Sequence, residues 1–248
     1  MIDAHTHLNI NSDSPIADYF NALNEGNIDY SVLILNSKEE SLLFWNNYVC
    51  FKNIIEKIHL AFLLDINNTD FFIDNVERAN EHKLTYSVKL HPRLSNITEK
   101  DFNSIYEFLK KFCFKNLIVD SFLYGSRKEN ICYIELSVYL ANLFNKNKVI
   151  MAHFGGIKVL ETMLRTREVM NIYYDCSFST NYLEGTSCYQ DLRHCIIYSL
   201  DRVMWGSDFP SFGVLKSVEK TKKLLGEQPD QVYKKIFFEN ARGIFFDD

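Results

Sequence analysis

Met1-Ile2-Asp3-Ala4-His5-Thr6-His7 opens the chain, and its reading as a β-strand decides the fold. Successive side chains of a strand point to opposite faces, so His5 and His7, two positions apart, project together and can reach one metal ion. Two imidazoles at the end of a strand make half of a site. The remainder of the chain is then the scaffold that brings the other half back to them.

Outward from this strand, apolar runs and helical spacings alternate. Ile16, Tyr19, Phe20 and Leu23 give residues 15–25 a helical period, and Gly26 is the stop. Residues 30–36 form a short apolar run of the kind found in buried parallel strands. A helix over 39–55, a strand over 59–66 and a helix over 70–82 follow. The alternation continues with strands at 85–91, 116–122, 148–154, 171–178 and 202–208. Helices at 99–112 and 131–145 lie between them, with further helices before the last strands and a helical tail from Val214 onward. Eight strand-then-helix units in 248 residues predict an α/β fold, a (β/α)8 TIM barrel with a parallel sheet. No Pro-, Gly- or Ser-rich linker divides the chain, so one domain is expected over 1–248.

Composition narrows the function classes. Hydrophobic residues make up 47 % of the chain, yet no apolar run approaches the roughly 18 residues that span a bilayer, so no membrane partner is expected. The formal charge of −5, without a dense Lys/Arg block, argues against nucleic acid and for a small-molecule substrate. The N-terminus lacks the basic and apolar stretches of a signal peptide, and the six scattered cysteines have no C-x-x-C spacing. Reduced thiols in a cytoplasmic protein are the expectation; self-association as a homo-oligomer is left open.

Active sites of such barrels lie at the C-terminal strand ends. His5 and His7 end the first strand, Lys89 and His91 the fourth, His153 the sixth and Asp208 the eighth, with Asp120 near the end of the fifth. Each has a plainer reading. His153, in Met151-Ala152-His153-Phe154-Gly155-Gly156, can simply bond a carbonyl, although the two glycines suggest a close approach to the backbone. Asp208, before Phe209-Pro210, can cap a turn. Lys89 and Arg93 can be snorkelling surface cations, but Lys89 alternates with Val88 and Leu90 and so points inward. Phe238-Glu239-Asn240-Ala241-Arg242 reads as helix packing.

Taken in order, Asp3-Ala4-His5-Thr6-His7, Val88-Lys89-Leu90-His91-Pro92, Met151-Ala152-His153-Phe154-Gly155-Gly156, Trp205-Gly206-Ser207-Asp208-Phe209-Pro210 and Glu239-Asn240-Ala241-Arg242 resemble the amidohydrolase superfamily. The nearest branch is the amidohydrolase-related group that also contains metal-dependent decarboxylases. The resemblance implies a metal-dependent barrel hydrolase with His5, His7 and Asp208 on a divalent ion, zinc first, with manganese and iron as alternatives. It makes His153 a second ligand or the group that polarises substrate and moves protons. One position departs from the pattern: where relatives have a histidine at the end of strand five, this chain has Asp120, which would bind the ion with different charge and geometry. Some relatives carry a carboxylated lysine on strand four; similarity to one-metal members favours an unmodified Lys89 that binds an anion.

The expected chemistry is hydrolysis of an amide, lactone or related C–N or C–O bond in a small polar, anionic molecule. Asp208 takes a proton from the activated water, His153 polarises the carbonyl, and Lys89, His91 and Arg93 orient the anion. Three rivals accompany it: a decarboxylase or C–C lyase on the same site, a catalytically silent binding barrel, and a metal-dependent nuclease, which would need a basic rim not found here.

Overall fold

The computed structural model describes residues 1–123 and 132–247; the expected helix start at 131 lies outside the described residues. Eight parallel strands are hydrogen-bonded in chain order: β1 (Ile2–Thr6), β2 (Tyr30–Leu35), β3 (Ile58–Leu63), β4 (Tyr86–Leu90), β5 (Asn116–Asp120), β6 (Lys148–Ala152), β7 (Ile172–Asp175) and β8 (Val203–Met204). The last strand is short, and the seam to β1 is made by the extended chain beyond it. Ala4 N–H donates to Trp205 O (3.1 Å), Asp208 N–H to His5 O (2.9 Å) and His7 N–H to Phe209 O (2.8 Å). The result is a nearly closed TIM barrel.

Helices α1 (Pro15–Glu25), α2 (Lys38–Asn46), α3 (Tyr48–Phe51), α4 (Asp70–Glu81), α5 (Phe102–Leu109), α6 (Tyr133–Leu143), α7 (Val159–Thr166), α8 (Ser179–Tyr182), α9 (Cys188–Tyr198), α10 (Val214–Leu225) and α11 (Asp230–Lys234) surround it. Their apolar stripes cover the outer faces of the strands; on α4 the buried positions Phe72, Asn75, Val76 and Ala79 follow the helical period. The helix expected over 39–55 breaks at Asn47, whose side chain donates to Leu43 O (2.8 Å) and competes with the backbone ladder. That expected over 99–112 starts as a 3-10 turn, where Asp101 accepts from the Thr98 N–H (2.8 Å), and it ends three residues early at Leu109.

Inside the barrel a second cluster, including Ile2, Ala4, Val32, Ile34, Ile150 and Met204, is capped by Ile244 and Phe245 of the C-terminal segment. Asn240 holds that segment in place by donating to Leu200 O (2.8 Å) and Val203 O (2.7 Å), the packing role expected of the tail motif.

The first strand departs from simple alternation. Asp3 is in register with Ser31 and Thr6 with Leu33, so three steps along β1 match two along β2, a one-residue bulge. Asp3 braces the bulge: its Oδ1 accepts from the N–H of His5 (3.2 Å) and, across the seam, from the N–H of Ser207 (2.8 Å). Ala4 therefore packs in the inner cluster while the next residue, His5, also faces the cavity, and Thr6 turns outward to Ser31 (3.1 Å).

Candidate active site at the C-terminal rim

A cavity of about 420 Å³ opens at the C-terminal ends of the strands. His5, His7, His91, Arg93, Asp120, His153 and Asp208 all line it, so seven of the eight residues singled out in the sequence meet there. The exception is Lys89. It is fully buried beneath the cavity, and its Nζ lies 3.6 Å from Asp120 Oδ2. Lys89, expected to grip the substrate, is a β4 residue that does not line the cavity.

Backbone geometry after the strands aims the side chains. His153 and Phe154 follow β6 with φ of 64° and 48°, and Asp208 has φ 61°, left-handed conformations that non-glycine residues adopt at a cost. The turn at 153–154 sends His153 into the cavity and lays Phe154 against Tyr174, with ring centroids 4.0 Å apart. Gly155 and Gly156 continue at positive φ, and what approaches their backbone is protein. A Cβ would meet Thr162 Oγ1 at 2.1 Å in the first case and the Phe122 ring at 2.7 Å in the second.

Three donors converge. One nitrogen each of His5 and His153 and a carboxylate oxygen of Asp208 lie within 4.8 Å of one another, and all three residues are buried. His5 Nε2 is 3.4 Å from Asp208 Oδ1, and His153 Nε2 is 4.0 Å from it. Ligands around one zinc ion at ~2.0–2.1 Å stand roughly 3–3.5 Å apart, a spacing that His5 and Asp208 already have, with His153 farther out. His7 and Asp120, also expected as ligands, border this trio. The His7 ring centroid is 5.2 Å from that of His5. Asp120 Oδ2 is shared by His153 Nε2 (3.2 Å), His91 Nε2 (3.5 Å) and Lys89 Nζ (3.6 Å).

The hydrogen bonds behind the rings set their tautomers. His5 Nδ1 is 3.0 Å from Asp175 Oδ2 and His7 Nδ1 is 2.9 Å from Ile34 O, so each Nδ1 carries the proton and each Nε2 keeps its lone pair. Burial pulls the His5 imidazole below its ordinary pKa against the opposing charge of Asp175, and burial with the nearby His5 pulls His7 down further. Both are neutral, the form that binds a metal.

Asp175 is itself buried, which alone would raise its pKa, but His5, His153 and Ser177 hold it well below the carboxylate range. Its other oxygen accepts the N–H groups of Ser177 (3.0 Å) and His153 (3.2 Å), and the Ser177 hydroxyl. His153 Nδ1 donates to Ser177 O (3.1 Å). Burial opposes charge on His153, yet Asp120 and Asp208 outweigh it and lift its pKa to about 9. A metal ion and a proton therefore compete for this imidazole, and loading the site releases that proton. Asp120 stays ionised although burial would raise it, because His91, Lys89 and His153 together pull it well below the usual range. His91 is driven down to about 4, chiefly by burial, despite Asp120. It enters the cavity as a neutral donor, leaving Arg93 as the cation of that wall.

Two residues of the site escaped the sequence reading. Asp175 ends β7, but a strand drawn over 171–178 places it mid-strand; the rim rule finds it once the strand stops where it does. Glu40 falls inside the helix expected over 39–55, and in the structure Ser37 caps α2 and accepts its N–H (3.1 Å). Its carboxylate nevertheless lines the cavity, accepts from Asn36 N–H and lies 3.7 Å from His7 Nδ1. Burial raises it to about 7.

Fold and rim together define a class: an α/β barrel whose titratable side chains gather at the C-terminal strand ends around a metal-type donor trio. A family model described as amidohydrolase matches residues 65–246, and the chain belongs to the amidohydrolase superfamily, in its amidohydrolase-2 branch. The match begins just beyond β3, so the His5–His7 pair lies outside it and stands on geometry. The fold is also similar to that of an uncharacterized TIM-barrel protein from Bordetella bronchiseptica, with a TM-score of 0.72 over 98 % of each chain at 14 % identity. No curated protein matches the chain. All six cysteines are free thiols, and among the described residues no helix is long and apolar enough to cross a membrane.

Proposed function

We propose that the protein is a metal-dependent hydrolase that cleaves a C–N or C–O bond, such as an amide or lactone, in a small anionic molecule. The observation that carries this reading is the buried trio of His5, His153 and Asp208, with its donor atoms within 4.8 Å of one another at the barrel rim. His5, His153 and Asp208 would hold a divalent ion, zinc before manganese or iron, with His7 Nε2 beside them. Neutral imidazoles and a carboxylate suit each of these metals. Such an ion supplies Lewis acidity that lowers the pKa of water from about 16 toward about 7.

The chain's own groups do the rest. Asp208 accepts the proton of the attacking water on an oxygen and returns it to the leaving group. Asp175 keeps His5 in the Nδ1-protonated tautomer throughout. The Asp120 carboxylate, neutralised by Lys89 from below, holds the His91 ring toward the cavity, and Ser177 orients His153 through its Nδ1. Arg93 and the neutral His91 orient the substrate anion, and Phe122 and Phe178 form an apolar wall beside the reacting bond.

Protein purified without chelator is expected to contain a stoichiometric divalent metal by elemental analysis and to turn over members of ester, lactone and amide panels. His5→Ala with His7→Ala is expected to lose both the metal and the turnover. Full activity in that double variant overturns the assignment. Carbon dioxide release without hydrolysis would move the protein to the decarboxylases, and a metal-free, inactive protein would be a binding barrel.

A further inference from the structure

We infer that the cavity is built for an amphoteric substrate, one end an anion against Arg93 and His91, the other a positively charged nitrogen group against Glu40. The anion end rests on the function proposed above; the cationic end is added by Glu40.

Glu40 is only 7 % exposed, and that exposure is to the cavity it lines. One carboxylate oxygen accepts the Asn36 N–H. Its ionic neighbour is His7 Nδ1 at 3.7 Å, and that proton is already committed to Ile34 O. Among the described residues no lysine or arginine pairs with Glu40. A buried acid without a cation gives up hydration for backbone N–H contacts alone, so a ligand that brings the cation gains where the protein alone loses. Asn9, Asn11 and Asn36 line the same side and offer amide oxygens to N–H donors.

The two walls are apart in the fold. Glu40 follows β2, whereas His91 and Arg93 follow β4, and no residue of the intervening β3 lines the cavity. Two strand spacings separate them, roughly 10 Å, a gap spanned by a short carbon chain with a charge at each end. Phe122 and Phe178, ring centroids 4.7 Å apart, give that chain an apolar surface.

Four five-carbon probes test the inference by ligand-observed NMR titration of the purified, metal-loaded protein: 5-aminopentanoate, glutarate, cadaverine and pentanoate. The zwitterion is expected to bind about tenfold more tightly than the other three, the effect of one charge-assisted contact. Glu40→Gln keeps an oxygen for the Asn36 N–H and removes the charge. It is expected to weaken 5-aminopentanoate about tenfold while leaving glutarate unchanged or tighter. Equal binding of 5-aminopentanoate and glutarate to the wild type, failure of both to bind, or an unchanged ratio in Glu40→Gln overturns the inference. If that variant does not fold, the wild-type ranking decides alone. Arg93→Gln separates the two readings: it should weaken every carboxylate probe alike, and if it weakens none, the anion end proposed earlier fails independently of Glu40.

Discussion

His5 presents a lone pair to the cavity only because Asp175 takes its Nδ1 proton at 3.0 Å. Asp175→Asn keeps the size but allows the amide to donate to Nδ1 and reverse the tautomer. Metal affinity is expected to fall about 10- to 100-fold, the usual effect of losing a carboxylate behind a ligating histidine, as read by chelator competition with circular dichroism confirming the fold. Unchanged affinity would remove Asp175 from the site. Asp120 acts on stability as well as chemistry, because Lys89 Nζ is buried with no hydrogen-bond partner among the described residues and has this carboxylate as its counter-charge at 3.6 Å. Asp120→Ala is expected to cost about 3–5 kcal/mol in urea unfolding by stranding the buried charge, and Lys89→Met in the same background to recover much of it. The carboxylate that ends strand five thus comes with a fully buried lysine beneath it.

The bulge in β1 shows how an element, beyond its residues, makes a site. Alternation correctly places His5 and His7 on a common face, but Ile2 and Ala4 belong to the inner cluster, and without the extra residue the histidines would face the surrounding helices. Asp3 holds the bulge through two N–H groups, one on each side of the seam. Burial raises its carboxyl to about 7, so a neutral amide is a close mimic. Asp3→Asn is expected to keep stability and metal binding. Asp3→Ala, which leaves two buried N–H groups unsatisfied, should lose about 2–4 kcal/mol and weaken metal binding; equal behaviour of the two variants would refute the brace. Strand ends matter in the same way. Drawing β7 three residues too long hides Asp175, because period-two patterning marks faces well and ends poorly.

Across the barrel, the end opposite the site is closed by the C-terminal segment, and His59 is buried there with its ring centroid 5.2 Å from that of Phe245 and Nε2 2.7 Å from Ser87 Oγ. Burial drops its pKa from 6.5 to about 3. Above pH 6.5 folded and unfolded chains both hold it neutral. Below that, the unfolded chain takes up a proton that the fold refuses, so stability declines as pH falls, by about 1.4 kcal/mol per pH unit once well below the unfolded pKa. Urea unfolding at pH 7 and 5 should show about 2 kcal/mol lost through this group, and His59→Gln should remove that increment. An identical pH slope in the variant would contradict it.

Patterning at short range was enough to read eight strand-helix units, the barrel and seven of the residues that line the rim, because periods of two and 3.6 and the rule that loops leave at the C-terminal end are local properties of the chain. Tertiary contacts decided the rest. The bulge that turns His5 inward depends on an acceptor braced against Ser207, the depth of Lys89 depends on the barrel axis, and Glu40 is one residue of an expected helix until the cavity forms beside it. Each is a relation between groups distant in sequence, and their distances and desolvation arise only once the barrel closes.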